Sequence, residues 1–427
     1  MILANFLDSV ISGFKVSDIN LNQEDQTIQI ELVKTSQESF CCRCGQDIST
    51  ASSCGKHRLK LKTMPIFGHD TYLYLWRLKK HCSSCKKARS EYLDIISEES
   101  PHIAKDFSFW MGKLCEFSPI SRLAKTLGVD PVTAWRIDYS RMKTQCSRYK
   151  FPKFSRISVD EVYVRKFDLK EGDKRTDRFF TVISCLDRKK VLWVTEGRSK
   201  ESLDEFFKLL SPIERRRIRV IAMDQFKGFL ESAKEYCPLA TIVWDRFHLM
   251  ANFNEALNEE RKKLHAKKNM DKDLKSKCSG KYKYLFLKRE SRRTVEESKH
   301  MDFLMEQNEG FFNLEIIKEK MNLFFDAPDE DHAHQELAEI RLWCHKLEFG
   351  HLLKWHQNIM ENWPIVKNYF SYKVTTSISE GMNNVVKALI RRGFGYKNMG
   401  YLKLKIMQQC GFLNSNFFDK SGNMVSI

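Results

Sequence analysis

Arg219-Val-Ile-Ala-Met-Asp224 and Ala240-Thr-Ile-Val-Trp-Asp245 are two short, mostly apolar runs, each closing on an aspartate, with a helix-like stretch over residues 229–236 between them. Apolar runs of this length on either side of a helix read as buried strands joined by a crossover, so this stretch sets an α/β core. Three more strand-like segments precede it, Ile157-Ser-Val-Asp160, Phe179-Phe-Thr-Val-Ile-Ser184 and Lys190-Val-Leu-Trp-Val-Thr195, followed by a helix over 202–210. From about residue 249 to 370 the strand signals stop. The chain there is charged and helix-prone, with cationic clusters at Arg261-Lys-Lys263, Lys267-Lys268 and Arg292-Arg293, and it reads as a helical insertion. A helix over about 379–392, then Gly393-Phe-Gly395 and a last helical run to 409, close the pattern.

Toward the N-terminus the chemistry changes. Strand-like alternation at Thr27-Ile-Gln-Ile-Glu-Leu-Val33 and Thr71-Tyr-Leu-Tyr-Leu-Trp76 brackets one of two Cys-x-x-Cys pairs, Cys41/Cys44, and precedes the other, Cys82/Cys85. A two-residue spacer lets both sulfurs of a pair face one point, so the four thiolates suit one tetrahedral Zn2+ as a zinc ribbon. Cys42, Cys54, His57 and His81 are alternative ligands, and unrelated core cysteines or a redox pair are the plainer reading. Residues 120–137 fit a helix-turn-helix: Leu123, Leu127, Val129, Ala134 and Ile137 supply its core, Ala124 the helix crossing and Gly128 the turn. Asp130 caps the second helix and Pro131 opens it. In that frame Thr133, Arg136 and Arg141 face DNA bases, and Arg122 and Lys125 face phosphates, whereas a structural hairpin would need none of these roles.

The 427 residues correspond to about three domains at the usual ~150 residues each. Their 72 Lys and Arg against 55 Asp and Glu leave a net charge of +17, which suits a polyanionic partner. Thirteen cysteines, an odd number, fit reduced thiols rather than a disulfide framework. No run of ~18 apolar residues is present, and Met1-Ile-Leu-Ala-Asn-Phe-Leu-Asp8 has no basic segment before its apolar one, so no membrane span or signal peptide is expected and the protein is expected to be intracellular. The expected division is an N-terminal zinc-ribbon module over 1–98, a helix-turn-helix over 99–150, a first part of the catalytic core over 151–250, a helical insertion over 251–370 and the rest of the core over 371–427.

Three acids stand where metal-dependent chemistry would use them. Asp160 and Asp224 close strand-like runs, and Glu380 opens a helix after Thr375-Thr-Ser-Ile-Ser379. Such carboxylates can converge on a pair of Mg2+ ions that activate a nucleophile and stabilise the leaving oxygen of a phosphodiester. Asp245-Arg-Phe-His248 offers a competing second carboxylate and an auxiliary proton carrier, His248. Glu161 competes with Asp160, and strand alternation lets only one of the two point into a site.

The order of the two Cys pairs, the helical hairpin, Val159-Asp-Glu-Val162, Leu192-Trp-Val-Thr-Glu-Gly-Arg198, Ala222-Met-Asp224, Trp244-Asp-Arg-Phe-His-Leu249 and Glu380-Gly-Met-Asn-Asn384 resembles the ISL-three family of bacterial insertion-sequence transposases over about residues 41–412. Ser379-Glu-Gly-Met-Asn-Asn-Val-Val-Lys387 with Arg391-Arg-Gly-Phe-Gly-Tyr396 is its most specific part. The resemblance implies an acid-triad (DDE) transposase: a multidomain α/β chain with a zinc ribbon, a helix-turn-helix and a ribonuclease-H-like core interrupted by an all-helical insertion. Asp160, Asp224 and Glu380 would bind Mg2+ or Mn2+, and Cys41, Cys44, Cys82 and Cys85 would bind structural Zn2+. It further implies binding to terminal inverted repeats and target DNA as a homo-oligomer, in a bacterial cytoplasm and on the nucleoid. A DNA-binding regulator of transposase ancestry that no longer cleaves, or a structure-specific nuclease on the same core, are the alternatives.

Overall fold

The computed structural model describes residues 7–164, 179–266, 283–372, 377–393 and 396–413. Contacts divide the chain into two compact units, Met1–Tyr149 with Leu413–Ile427, and Lys150–Phe412.

The first unit holds a five-stranded sheet of β1 (Phe14–Asn22), β2 (Thr27–Lys34), β3 (Ser53–Ile66), β4 (His69–Cys82) and β5 (Lys87–Ser90), in the order β1-β2-β4-β3 with β5 beside β4. β2 runs parallel to β4, and the other pairings are antiparallel. Alternation explains the sheet: Ile28, Ile30, Leu32, Leu61, Leu73 and Leu75 fill one face, while on the other Lys56, Arg58 and Lys60 lie over the rings of Trp76, Tyr74 and Tyr72. Phe67 and Gly68, both at positive φ, make the two-residue turn between β3 and β4 that suits the strand twist. Helices α1 (Lys105–Leu114), α2 (Ile120–Thr126) and α3 (Pro131–Ser147) pack around Phe107, Met111, Leu123, Ala124, Ala134 and Ile137. Asp130 caps α3 by accepting the Thr133 N–H at 2.9 Å. Gly128, between α2 and α3, sits at φ +58°, with the Lys62 ammonium where a Cβ would go.

The second unit is built on β6 (Arg156–Tyr163), β7 (Phe179–Cys185), β8 (Lys190–Glu196), β9 (Val220–Met223) and β10 (Thr241–Trp244), ordered β10-β9-β6-β7-β8. β6, β7 and β8 form an antiparallel meander, and β9 and β10 add parallel to β6. The connecting helices α4 (Lys200–Leu209), α5 (Pro212–Arg217) and α6 (Lys227–Tyr236) bury Phe206, Phe207 and Phe229 against the sheet. The helical segment then follows: α7 (Arg246–Ala266), α8 (Lys283–Leu287), α9 (Val295–Gln307), α10 (Glu309–Asp326), α11 (Glu330–Lys346), α12 (Gly350–Glu361), α13 (Trp363–Val366) and α14 (Asn368–Tyr372). Its apolar residues Phe253, Phe311, Phe324, Leu337 and Leu352 belong to the same continuous core as those of the sheet, so the segment read as an insertion does not have a separate core. Helices α15 (Ser377–Arg392) and α16 (Met399–Gln409) complete the unit. Among the described residues no helix is long and apolar enough to cross a membrane.

Candidate catalytic and metal-binding sites

Register places Val159, Met223 and Trp244 side by side on β6, β9 and β10. The next residue on each strand is an aspartate, so Asp160, Asp224 and Asp245 stand level at one end of three adjacent parallel strands. Asp160 is not itself a strand end as the sequence reading had it. β6 continues to Tyr163 against β7, but its pairing with β9 stops at Val159.

The Asp160 carboxylate is mostly buried. Its Oδ1 accepts the Glu161 backbone N–H at 2.7 Å, and its Oδ2 accepts Nδ2 of Asn383, on α15, at 2.5 Å. Burial pushes its pKa up; the Glu161 amide and His248 oppose that, and the charge of Asp224 adds to it. His248 Nε2 lies 4.0 Å from both Asp160 Oδ1 and Asp245 Oδ2. The ligand atoms of Asp160, Asp245 and His248 all fall within 4.8 Å of one another, a group able to hold a metal ion. Asp245 Oδ1 also accepts the Phe247 N–H at 2.6 Å, which fixes that carboxylate at the start of α7.

Asp224 faces a different neighbour. Its Oδ1 accepts the Phe226 N–H at 3.0 Å, and its Oδ2 accepts Arg198 Nη2 at 2.9 Å. The same nitrogen lies 2.9 Å from Glu161 Oε1. Glu161 is pushed up to about 7 by burial and by the charge of Asp224, against the pull of Arg198, and among the described residues its buried Oε2 has no hydrogen-bond partner. The two neighbours on β6 meet different partners: Asp160 joins Asp245 and His248 in the group able to hold a metal ion, and Glu161 meets Arg198 beside Asp224. Glu380 lies on α15, with its side chain outside the described residues. Reading single residues missed Arg198 and Asn383; each lies inside a motif quoted above, but neither has a residue type that signals its role.

The four cysteines do meet. Cys41 and Cys85 sulfurs are 3.9 Å apart and those of Cys44 and Cys82 3.6 Å, with Cys41 and Cys82 fully buried. Gly45 and Lys86, each just after the second cysteine of its pair, adopt positive φ, and the long β3–β4 hairpin spans the gap between the pairs. Cys44 is lowered to about 6, first by the Gln46 backbone N–H, and Cys85 is pushed up to about 12, first by the Cys44 sulfur beside it. Four sulfurs at this range can hold one metal ion as thiolates, each giving up its proton to a shared cation.

A family model described as a transposase, of the DDE type named for ISL-three, matches residues 157–406, from the first strand of the second unit through α15 into α16. The chain belongs to the ISL-three transposase family. It is 22% identical over 397 residues, 89% of its length and 91% of the relative's, to the transposase of insertion sequence element IS1001 from Bordetella parapertussis. It is 19% identical over 314 residues, 68% of its length and 67% of the relative's, to the transposase of insertion sequence element IS1557 from Mycobacterium tuberculosis.

In this ISL-three transposase the side chains expected to face DNA are not all available. Arg122, Lys125 and Arg136 are exposed. Thr133 is half-buried, and its hydroxyl donates to Asp130 Oδ2 at 3.2 Å as part of the helix cap. Arg141 is corrected outright. It lies four residues after Ile137, on the buried face of α3, where it donates to Gly112 O at 2.9 Å and to Glu116 Oε1 at 2.6 Å. An arginine 7% exposed and tied to a buried carboxylate joins α3 to the C-terminal end of α1 and does not read bases.

Proposed function

We propose that the protein is a DNA transposase that binds the terminal inverted repeats of an insertion sequence, cleaves DNA at their ends and joins the freed 3′ hydroxyls to target DNA. One observation carries the reading. Three aspartates stand level just past the last paired residues of three adjacent parallel strands, and Asn383 binds Asp160, tying to them the helix that carries Glu380. Glu380 precedes Asn383 by three residues, a spacing that puts both positions on one helical face. The strand order, a three-stranded meander with two parallel strands added beside its first strand, supports a ribonuclease-H-like core with Asp160, Asp224 and Glu380 as its catalytic acids.

Carboxylate oxygens are the donors Mg2+ or Mn2+ requires, and Asp245 and His248 lie against Asp160 as further ligands or supports. A divalent ion held there would activate the attacking oxygen and stabilise the leaving one. The chain's own groups do the rest. Asn383 fixes the Asp160 carboxylate, Arg198 offsets the charges of Asp224 and Glu161, and His248 Nε2 is placed to exchange a proton beside Asp160. The α2–α3 hairpin acts as a helix-turn-helix reading the repeats through Arg136, with Arg122 and Lys125 on phosphates, and the Cys41/Cys44/Cys82/Cys85 group acts as a structural zinc ribbon. The protein works as a homo-oligomer on double-stranded DNA in the cytoplasm.

Incubating the purified protein with a DNA fragment carrying the element's ends tests the reading. Nicks at the repeat ends with Mg2+ and none with EDTA are expected. Specific binding to the repeats without any cleavage would favour a regulator that has lost catalysis.

A further inference from the structure

At the opposite end of the strands that carry the acids, a cavity of about 540 Å3 opens beside Lys153, Arg216, Arg217 and Arg219, with the buried ring of Phe154 and the exposed Ile213 in its lining. Arg219 immediately precedes β9 and Asp224 immediately follows it, and five residue steps of strand separate the two sites by about 17 Å. All four cations are exposed, and none of them forms an ion pair with a described residue. Asp187 is the one carboxylate among the described residues of the lining, and it is already taken by the Arg156 guanidinium at 2.6 Å. Crowding like charges around one hollow raises the energy of the folded chain unless an anion neutralises them.

We propose that this cavity is a second DNA site that grips backbone phosphates of duplex DNA, apart from the acids and from the helical hairpin of the first unit. Guanidinium groups suit phosphate because their planar N–H forks match its oxygens, and three converge here. Contacts made only to backbone phosphates carry no sequence information, so the proposed site binds without sequence preference, as contact with target or flanking DNA requires. The inference rests on the reading that the protein acts on DNA, and the same chemistry would also take free phosphate.

The test compares the full-length wild type with two double variants of equal charge loss, Arg216→Ala/Arg219→Ala in the cavity and Lys346→Ala/Lys354→Ala on the helical segment. Binding to a random duplex is followed by fluorescence anisotropy across salt concentrations, and binding of inorganic phosphate by calorimetry. The cavity variant is expected to lower the slope of log affinity against log salt by about two, at an unchanged unfolding temperature, and the helical variant by clearly less. A wild-type slope in the cavity variant, or equal losses in both variants, would overturn the proposal. Saturable phosphate binding lost in the cavity variant, with random-duplex binding intact, would make the cavity a small-anion site and overturn the DNA assignment. A wild type that binds no duplex at all would instead bring down the transposase reading.

Discussion

Arg198 holds two carboxylates, Asp224 and Glu161, through one guanidinium nitrogen, with the ring of Phe226 5.0 Å from the guanidinium carbon. Removing it leaves two largely buried acids facing each other without a counter-charge. Arg198→Ala should therefore destabilise the second unit by about 1–3 kcal/mol in urea unfolding, less than a fully buried pair would lose because the side chain is about one-third exposed. An unchanged midpoint would mean that solvent or a cation already screens the pair. Asp224 and Asp245 were legible because each closes a short apolar run, and the register then makes them neighbours of Asp160, which lies inside β6. Arg198 was not, since an arginine three residues past a strand-like run carries no signal of its own and meets Asp224 only through the order of β6 and β9.

At the scale of elements, every strand of the second sheet was readable, because buried strands are written as unbroken apolar runs. In the first unit β3 was missed. Its Lys56, Arg58, Lys60 and Lys62 alternate with residues that include Leu59 and Leu61, and the basic residues mask a strand whose cations rest on the aromatic rings of β4. The cysteine pairs were legible from spacing alone, and the β3–β4 hairpin explains why the gap between them is long. Cys82→Ser should release bound zinc by elemental analysis and raise hydrogen exchange in β3–β5, with exchange in β6–β10 unchanged because the second unit has its own core. Natively purified protein without zinc would remove the ribbon assignment.

Glu91, 1% exposed, ties the segment leading into the first cysteine pair to the sheet. It accepts from Lys34 Nζ at 2.7 Å, the Leu78 N–H at 2.8 Å and Ser39 Oγ at 3.0 Å. Burial alone would raise its pKa, but these donors outweigh it and hold the group below its ordinary value. A depressed folded pKa contributes stability above the unfolded value and loses it as pH falls through the folded one. Glu91→Gln should therefore cost the first unit about 1–3 kcal/mol at pH 7, and the gap from wild type should close as pH drops below about 4. A gap that persists at low pH would mean that shape, and not charge, holds this junction.

For the whole molecule, a net charge of +17 makes DNA binding steeply salt-dependent, and specificity has to come from a few side chains set against that background. Arg136→Ala should lower affinity for repeat DNA about tenfold while changing random-duplex binding little, whereas Lys125→Ala should weaken both alike. Equal losses for Arg136→Ala on both duplexes would assign it to phosphate. The division of the chain was only partly legible. Sequence separates the helical segment from the sheet by pattern, but it cannot show that Phe253, Phe311 and Phe324 pack into the same core as Val159 and Ile221.

The most direct test of the catalytic assignment is the rate of Mg2+-dependent nicking at the repeat ends, measured side by side for wild type, Asp160→Asn, Asp224→Asn, Glu380→Gln and Asp245→Asn at equal DNA occupancy. Each of the first three substitutions keeps shape and removes one carboxylate charge, so each should cut the rate by orders of magnitude, while Asp245→Asn should retain measurable cleavage. Native-rate cleavage by Asp224→Asn together with silence from Asp245→Asn would contradict the account and transfer the second metal ligand to the Asp160, Asp245 and His248 group.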